Sequence, residues 1–81
     1  MFTVYVLQSL KDGGYYIGQT ESISKRLSRH NLGMVKSTAR RRPWKVIYTE
    51  TFSSRALAIQ RERQLKRQKG GDIFRKIIHP R

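Results

Sequence analysis

Two segments rich in β-branched and aromatic residues, Thr3-Val4-Tyr5-Val6-Leu7 and Tyr15-Tyr16-Ile17-Gly18, flank the tetrapeptide Lys11-Asp12-Gly13-Gly14. Such side chains suit a pleated, half-buried backbone, and Asp-Gly-Gly is a strong turn signal. The pattern predicts an antiparallel hairpin with a somewhat long loop at the start of the chain. A lone hairpin is marginal in water, so the remainder of the chain must cover it.

That remainder reads as helix, strand, helix. Ser22 is placed to cap a helix through Ser24–His30, which Asn31 and Gly33 can end. Residues 34–42 read as a basic loop that Pro43 closes, and Trp44-Lys45-Val46-Ile47-Tyr48-Thr49-Glu50 reads as a third strand. Ser54 then caps the longest helical segment, to about Lys69, where Gly70-Gly71 stop it. Residues 73–78 have the pattern of a short final helix. The expected fold is α/β: a small three-stranded antiparallel-type sheet flanked by helices, in the order β-β-α-β-α with a further short α at the end. At 81 residues the chain makes one domain, 1–81. Its expected core spans about residues 3–69, followed by a basic C-terminal segment, 70–81.

The core of so short a chain is thin. No cysteine is present, which excludes disulfide staples, thiolate zinc sites and cysteine nucleophiles. The two histidines, His30 and His79, are too few for a typical structural zinc site. Eight aromatics and 37% hydrophobic residues exclude wholesale disorder. Eighteen Lys and Arg against five acids give a net charge of +13, and an excess of that size implies a polyanion as partner, nucleic acid in the first place. No segment has the length or apolar content of a spanning helix. Gln8, Lys11 and Asp12 break up the first apolar run, so no leader peptide is expected and the expected compartment is the reducing cytoplasm.

Four groups of residues stand out chemically. On a helical wheel Glu62 falls at about 40° from Ala58, between Leu65 and Ile59, so an acid points into an apolar stripe. A buried carboxylate needs a cation, and either a structural ion pair with Arg55 or Lys66 or a functional role would meet that need. Arg26 and His30, four apart on the first helix, border the stripe that meets the sheet. They are either a functional pair or a hydrogen-bonded edge histidine beside a solvated arginine. Tyr5, Tyr16 and Gly18 share one face of the hairpin, as core residues or as a site where Gly18 leaves room for a close approach. Lys36, Arg40, Arg41, Arg42 and Lys45, followed by Arg55, Arg61, Arg63, Lys66, Arg67 and Lys69, have few acids to balance them and read as a phosphate-contacting surface. No base-reading motif accompanies them.

In this order and spacing, the chain resembles the GIY-YIG nuclease superfamily from about Thr3 to Lys69, in particular its small stand-alone bacterial members. Val4-Tyr5-Val6 stands where the family has Gly-Ile-Tyr or a variant, and Tyr16-Ile17-Gly18 is the second motif intact. Arg26 and His30 match the helix-borne Arg and the His or Tyr four residues on. Lys36, Thr38 and Arg42–Lys45 are similar to the stand-alone branch. Glu62 matches the metal-binding glutamate. The resemblance implies hydrolysis of phosphodiester bonds with Mg²⁺ (or Mn²⁺) held by Glu62. Tyr5, backed by His30, would position or deprotonate water; Arg26 would stabilise charge on the phosphate; Tyr16 would hold the phosphate or a water. Gly18, Lys36, Thr38, Arg40, Arg41, Arg42, Lys45 and Lys66 would serve substrate. Some relatives carry an Asn after the glutamate, whereas the single Asn here, Asn31, comes earlier. The expected function is a metal-dependent endonuclease on single-stranded or structured DNA, targeted by its own basic surface or by a protein partner. The alternative is a nucleic-acid-binding module that keeps the fold with little activity.

Overall fold

The computed structural model describes residues 1–79. Strands β1 (Phe2–Ser9), β2 (Tyr15–Thr20) and β3 (Trp44–Phe52) form one antiparallel sheet in the order β2-β1-β3. Helix α1 (Ile23–Asn31) links β2 to the loop before β3, and α2 (Arg55–Gln68) and α3 (Asp72–Ile78) follow. The order β-β-α-β-α-α is the expected one.

The first strand to be made becomes the middle of the sheet. Val4, Tyr5, Val6 and Leu7 are all fully buried, because helices cover both faces of the strand. Alternation sends Tyr5 and Leu7 to one side, where they pack with Trp44, Tyr16, Ile23, Leu27 and Val46 beneath α1. It sends Val4 and Val6 to the other, where they meet Ile17, Ala58, Leu65, Phe74 and Ile78 beneath α2 and α3. The result is two small cores, one on each face of a three-stranded sheet. A β-bulge on β3 opposite Val6 and Leu7 shifts the register there.

Three features differ from expectation. The core does not stop near Lys69: Phe74 and Ile78 on α3 are buried in the larger cluster. Gly70, at φ +82°, lets the chain turn back onto the sheet after α2. Ser54 does cap α2, its Oγ accepting from Leu57 N–H at 3.4 Å. Ser22 stands at the N-cap of α1 but makes no side-chain cap bond; its own N–H donates to Thr20 Oγ1 instead. The basic loop also contains a 3₁₀ turn, Ala39–Arg41.

The hairpin loop and this basic loop are latched together. Ser9 Oγ donates to the Arg41 carbonyl at 2.6 Å, and Arg41 Nε donates to Asp12 at 2.8 Å. Arg41 and the Gly14 N–H together hold the Asp12 carboxyl well below the usual carboxylate range. A depressed native pKa contributes stability that is complete above about pH 4 and is lost as the pH falls toward the native value. Asp12→Asn should therefore flatten the acid limb of the stability–pH curve below about pH 4. Chemical denaturation across that range checks this; an unchanged acid limb would show that the latch does not contribute.

Candidate functional site

The cluster centres on Tyr5. Pairing of β1 with β2 sets Tyr5 opposite Gly18 and Leu7 opposite Tyr16, so Tyr5, Gly18 and Tyr16 share a face as expected. Helix α1 crosses this face and lowers His30 into it. The Tyr5 hydroxyl and His30 Nε2 are 3.1 Å apart, and both residues are completely buried. The Tyr16 ring lies edge-on to His30 at 4.8 Å and tilted against Tyr5 at 6.3 Å. Tyr16, Arg26 and Glu62 are half-buried.

Three groups bear on the Tyr5 phenol. Burial is the strongest influence and pushes its pKa well above the ordinary value; the Tyr16 hydroxyl and the Glu62 carboxylate push the same way, and the Arg26 guanidinium beside it opposes them. Tyr5 is therefore a neutral phenol at physiological pH. Burial, with Arg26 and Arg29 behind it, lowers the pKa of His30, so the imidazole is neutral too. The two groups form a neutral pair across which a proton can pass.

Glu62 stands on α2 between Ala58 and Leu65, and its side chain is 19% exposed. Lys66 Nζ meets it at 2.7 Å, the cation that its place on the wheel demanded. Only the lysine end of this i,i+4 pair is exposed, at 54%, so the ammonium faces solvent while the carboxylate is largely covered. Among the described residues no three His, Asp or Glu side chains cluster. A lone carboxylate makes no self-sufficient metal site. It does fit Mg²⁺, which binds through one or two carboxylates and takes its other oxygens from water and substrate phosphate.

Several residues expected at the substrate surface have other tasks. Gly18 gives no room to a substrate: a Cβ there would lie 2.6 Å from the Tyr5 hydroxyl oxygen, because the Tyr5 ring already fills that space. Thr38 is buried, with its Oγ1 2.8 Å from His30 Nδ1. Arg41 is tied to Asp12 and lies over the Trp44 ring at 5.1 Å. Lys66 belongs to Glu62. Lys36, Arg40, Arg42 and Lys45 are exposed and have no acid partner among the described residues. Each of the five acids already has a cation of its own, so these four are available to phosphate.

Sequence reasoning gave no role in the site to two residues that build it. Asn31 donates to the Trp44 carbonyl at 3.1 Å and accepts from its N–H at 2.6 Å, joining the end of α1 to the start of β3. Trp44 is buried, and its Nε1–H donates to the Thr38 carbonyl at 3.0 Å. The single Trp next to a proline was the visible signal for an anchor at that point.

The close fit around Tyr5 makes Gly18 a sensitive position. Gly18→Ala should cost about 1–3 kcal/mol through overpacking and move the Tyr5 hydroxyl off His30. Thermal denaturation measures the first effect; an unchanged midpoint would mean that the ring yields freely.

A buried tyrosine–histidine pair, an arginine and one carboxylate are thus the chemically distinctive residues of a small basic α/β domain. The profile of the GIY-YIG catalytic domain matches residues 1–75. The chain belongs to the GIY-YIG family, a nuclease superfamily whose members generally depend on a metal. It is similar to a UPF0213 protein of Streptococcus pneumoniae serotype 4, 45% identical over 82% of this chain and 67% of that protein. A UPF0213 protein of Halobacterium salinarum is 39% identical over 82% of this chain and 86% of its own length. The solution NMR structure of a UPF0213 protein from Bacillus halodurans is 33% identical, with a TM-score of 0.50 over 83% of this chain and 72% of that one.

Proposed function

We propose that this protein is a divalent-metal-dependent endonuclease that hydrolyses phosphodiester bonds in single-stranded or structured DNA. The observation that carries the reading is the neutral Tyr5–His30 pair, 3.1 Å apart, with Arg26 and Glu62 both acting on the same phenol.

The phosphate is drawn to Lys36, Arg40, Arg42 and Lys45 by charge. Arg26 moves from the Tyr5 hydroxyl onto a phosphate oxygen, which uncovers Tyr5 and places a positive charge where negative charge develops. Tyr16 holds the phosphate or the attacking water. The water oxygen bonds to phosphorus as its proton passes to the Tyr5 oxygen; the Tyr5 proton moves to His30 Nε2. The bond from phosphorus to the leaving sugar oxygen breaks, and that oxygen takes a proton from solvent. The relay answers the difficulty that a phenol with a raised pKa is a poor base by itself, because the imidazole is the final acceptor. Glu62 would hold Mg²⁺ (or Mn²⁺), whose chemistry when bound is to polarise the scissile phosphate and offset charge on the leaving oxygen.

One observation favours a second reading, a binding module with little activity: Glu62 already has a partner in Lys66 at 2.7 Å. Incubation with labelled single-stranded, duplex and branched DNA, with and without Mg²⁺ or Mn²⁺, separates the two. Cleavage that requires metal supports the endonuclease. Salt-sensitive binding with no cleavage of any substrate supports the module.

A further inference from the structure

Thr38 lies in the most basic loop of the chain, yet only 1% of it is exposed. Its backbone is clamped on both sides. The Thr38 N–H donates to the Val35 carbonyl at 3.1 Å, and the Thr38 carbonyl accepts from Arg41 N–H at 3.1 Å and from Trp44 Nε1–H at 3.0 Å. Trp44 is in turn bracketed by Asn31, and Arg41 is tied to Asp12. The Thr38 hydroxyl is therefore a fixed point on the far side of His30 from Tyr5.

The hydroxyl has one proton to give. Thr38 Oγ1 lies 3.3 Å from the Val35 carbonyl oxygen and 2.8 Å from His30 Nδ1. The Val35 carbonyl is a pure acceptor placed to take the Thr38 proton, and with the proton there the Thr38 oxygen faces His30 as an acceptor. A neutral imidazole carries one N–H, which this places on Nδ1. Nε2 is left with its lone pair toward Tyr5. The Tyr5 side agrees: Nε2 is the hydrogen-bond partner of this wholly buried hydroxyl, and the Arg26 guanidinium nearby is a donor only. The hydroxyl proton is satisfied when Nε2 accepts it.

We propose that Thr38 is a positioning residue that holds His30 in the Nδ1–H tautomer and so aims the Nε2 lone pair at the Tyr5 hydroxyl. The consequence for catalysis rests on the endonuclease reading, and the tautomer rests on geometry alone. With the proton on Nε2 instead, His30 has no lone pair for Tyr5, and the relay is broken although every side chain remains in place.

The test is a two-bond ¹H–¹⁵N correlation spectrum of the histidine rings at neutral pH, without DNA or metal, with exposed His79 as internal reference. The expected result is the Nδ1–H form of His30 in the native protein and in Thr38→Ser, which keeps the hydroxyl. Thr38→Val keeps the shape but not the hydroxyl, and should move a substantial fraction of the proton to Nε2. Single-turnover DNA cleavage should be about 10- to 100-fold slower in Thr38→Val, with DNA affinity unchanged and the rate restored in Thr38→Ser. An Nε2–H form in the native protein overturns the proposal. So does a folded Thr38→Val that keeps the Nδ1–H form, or that shifts its tautomer and still cleaves at the native rate. If Thr38→Val fails to fold, the native and Thr38→Ser spectra decide. If the native protein cleaves no DNA, the endonuclease reading falls, while the spectra still settle the tautomer.

Discussion

Glu62→Ala should cleave DNA at least about 10³-fold more slowly than the native protein while still folding and binding DNA. The size follows from the number of acids. Among the described residues Glu62 is the carboxylate whose charge bears on the Tyr5 phenol, so none of the others is placed to take over its role. A cation held on a phosphoryl oxygen stabilises the transition state by several kcal/mol, and each 1.36 kcal/mol or so is a factor of ten in rate. The fold should hardly notice the change. The pair with Lys66 is an i,i+4 contact whose lysine is 54% exposed, worth on the order of 1 kcal/mol. DNA affinity should persist because Lys36, Arg40, Arg42 and Lys45 are untouched. Parallel cleavage assays in Mg²⁺ and Mn²⁺, with thermal denaturation of both proteins, decide the matter. Native-level cleavage by the variant sinks the proposed role of Glu62. A loss of more than about 2 kcal/mol of stability without metal would make the carboxylate a structural partner of Lys66 instead.

The second large effect is on stability. Phe74→Ala should remove about 3–5 kcal/mol, as expected for a buried aromatic ring. A chain of this size has roughly 4–12 kcal/mol in all, so the loss approaches the whole in the less stable half of that range. At 4–8 °C or so per kcal/mol, the midpoint should fall by roughly 20 °C. Phe74 is wholly buried, meets Tyr15 edge-on at 5.1 Å, and shares the larger core with Val4, Val6 and Ile17. Thermal unfolding by circular dichroism measures the shift. A midpoint within a few degrees of native would make α3 an appendage, as the expectation of a core over residues 3–69 implied.

Much of this was legible in the residues. The hairpin, the third strand and the long second helix follow from local preference: β-branched runs, the Asp-Gly-Gly turn, Ser54 and Gly70. Glu62 could be singled out from its wheel position alone, since an acid in an apolar stripe needs a reason. Tyr5, Tyr16, Gly18, Arg26 and His30 could be placed on shared faces by period. The task of Gly18 could not. Period puts it beside Tyr5, but only the register β1–β2 shows that the Tyr5 ring occupies the space a side chain would need. Basic residues in the loop look alike in sequence, yet Arg41 is anchored to Asp12 while Arg40 and Arg42 are exposed.

By itself, the sequence determined the order of the elements, the surplus of positive charge and the residue types available for chemistry, because these depend on neighbours in the chain and on composition. The tertiary structure decided which of those residues meet. Thr38 is the clearest case. Residues 34–43 have no period, so nothing local says that Thr38 turns inward. Its place is set by Trp44, Asn31, Asp12 and the Val35 carbonyl, three side chains and a backbone group drawn from separate parts of the chain. α3 is the other case: seven residues are too few to hold a helix in water, and burial of Phe74 and Ile78 against a sheet made far earlier in the chain is what keeps it folded.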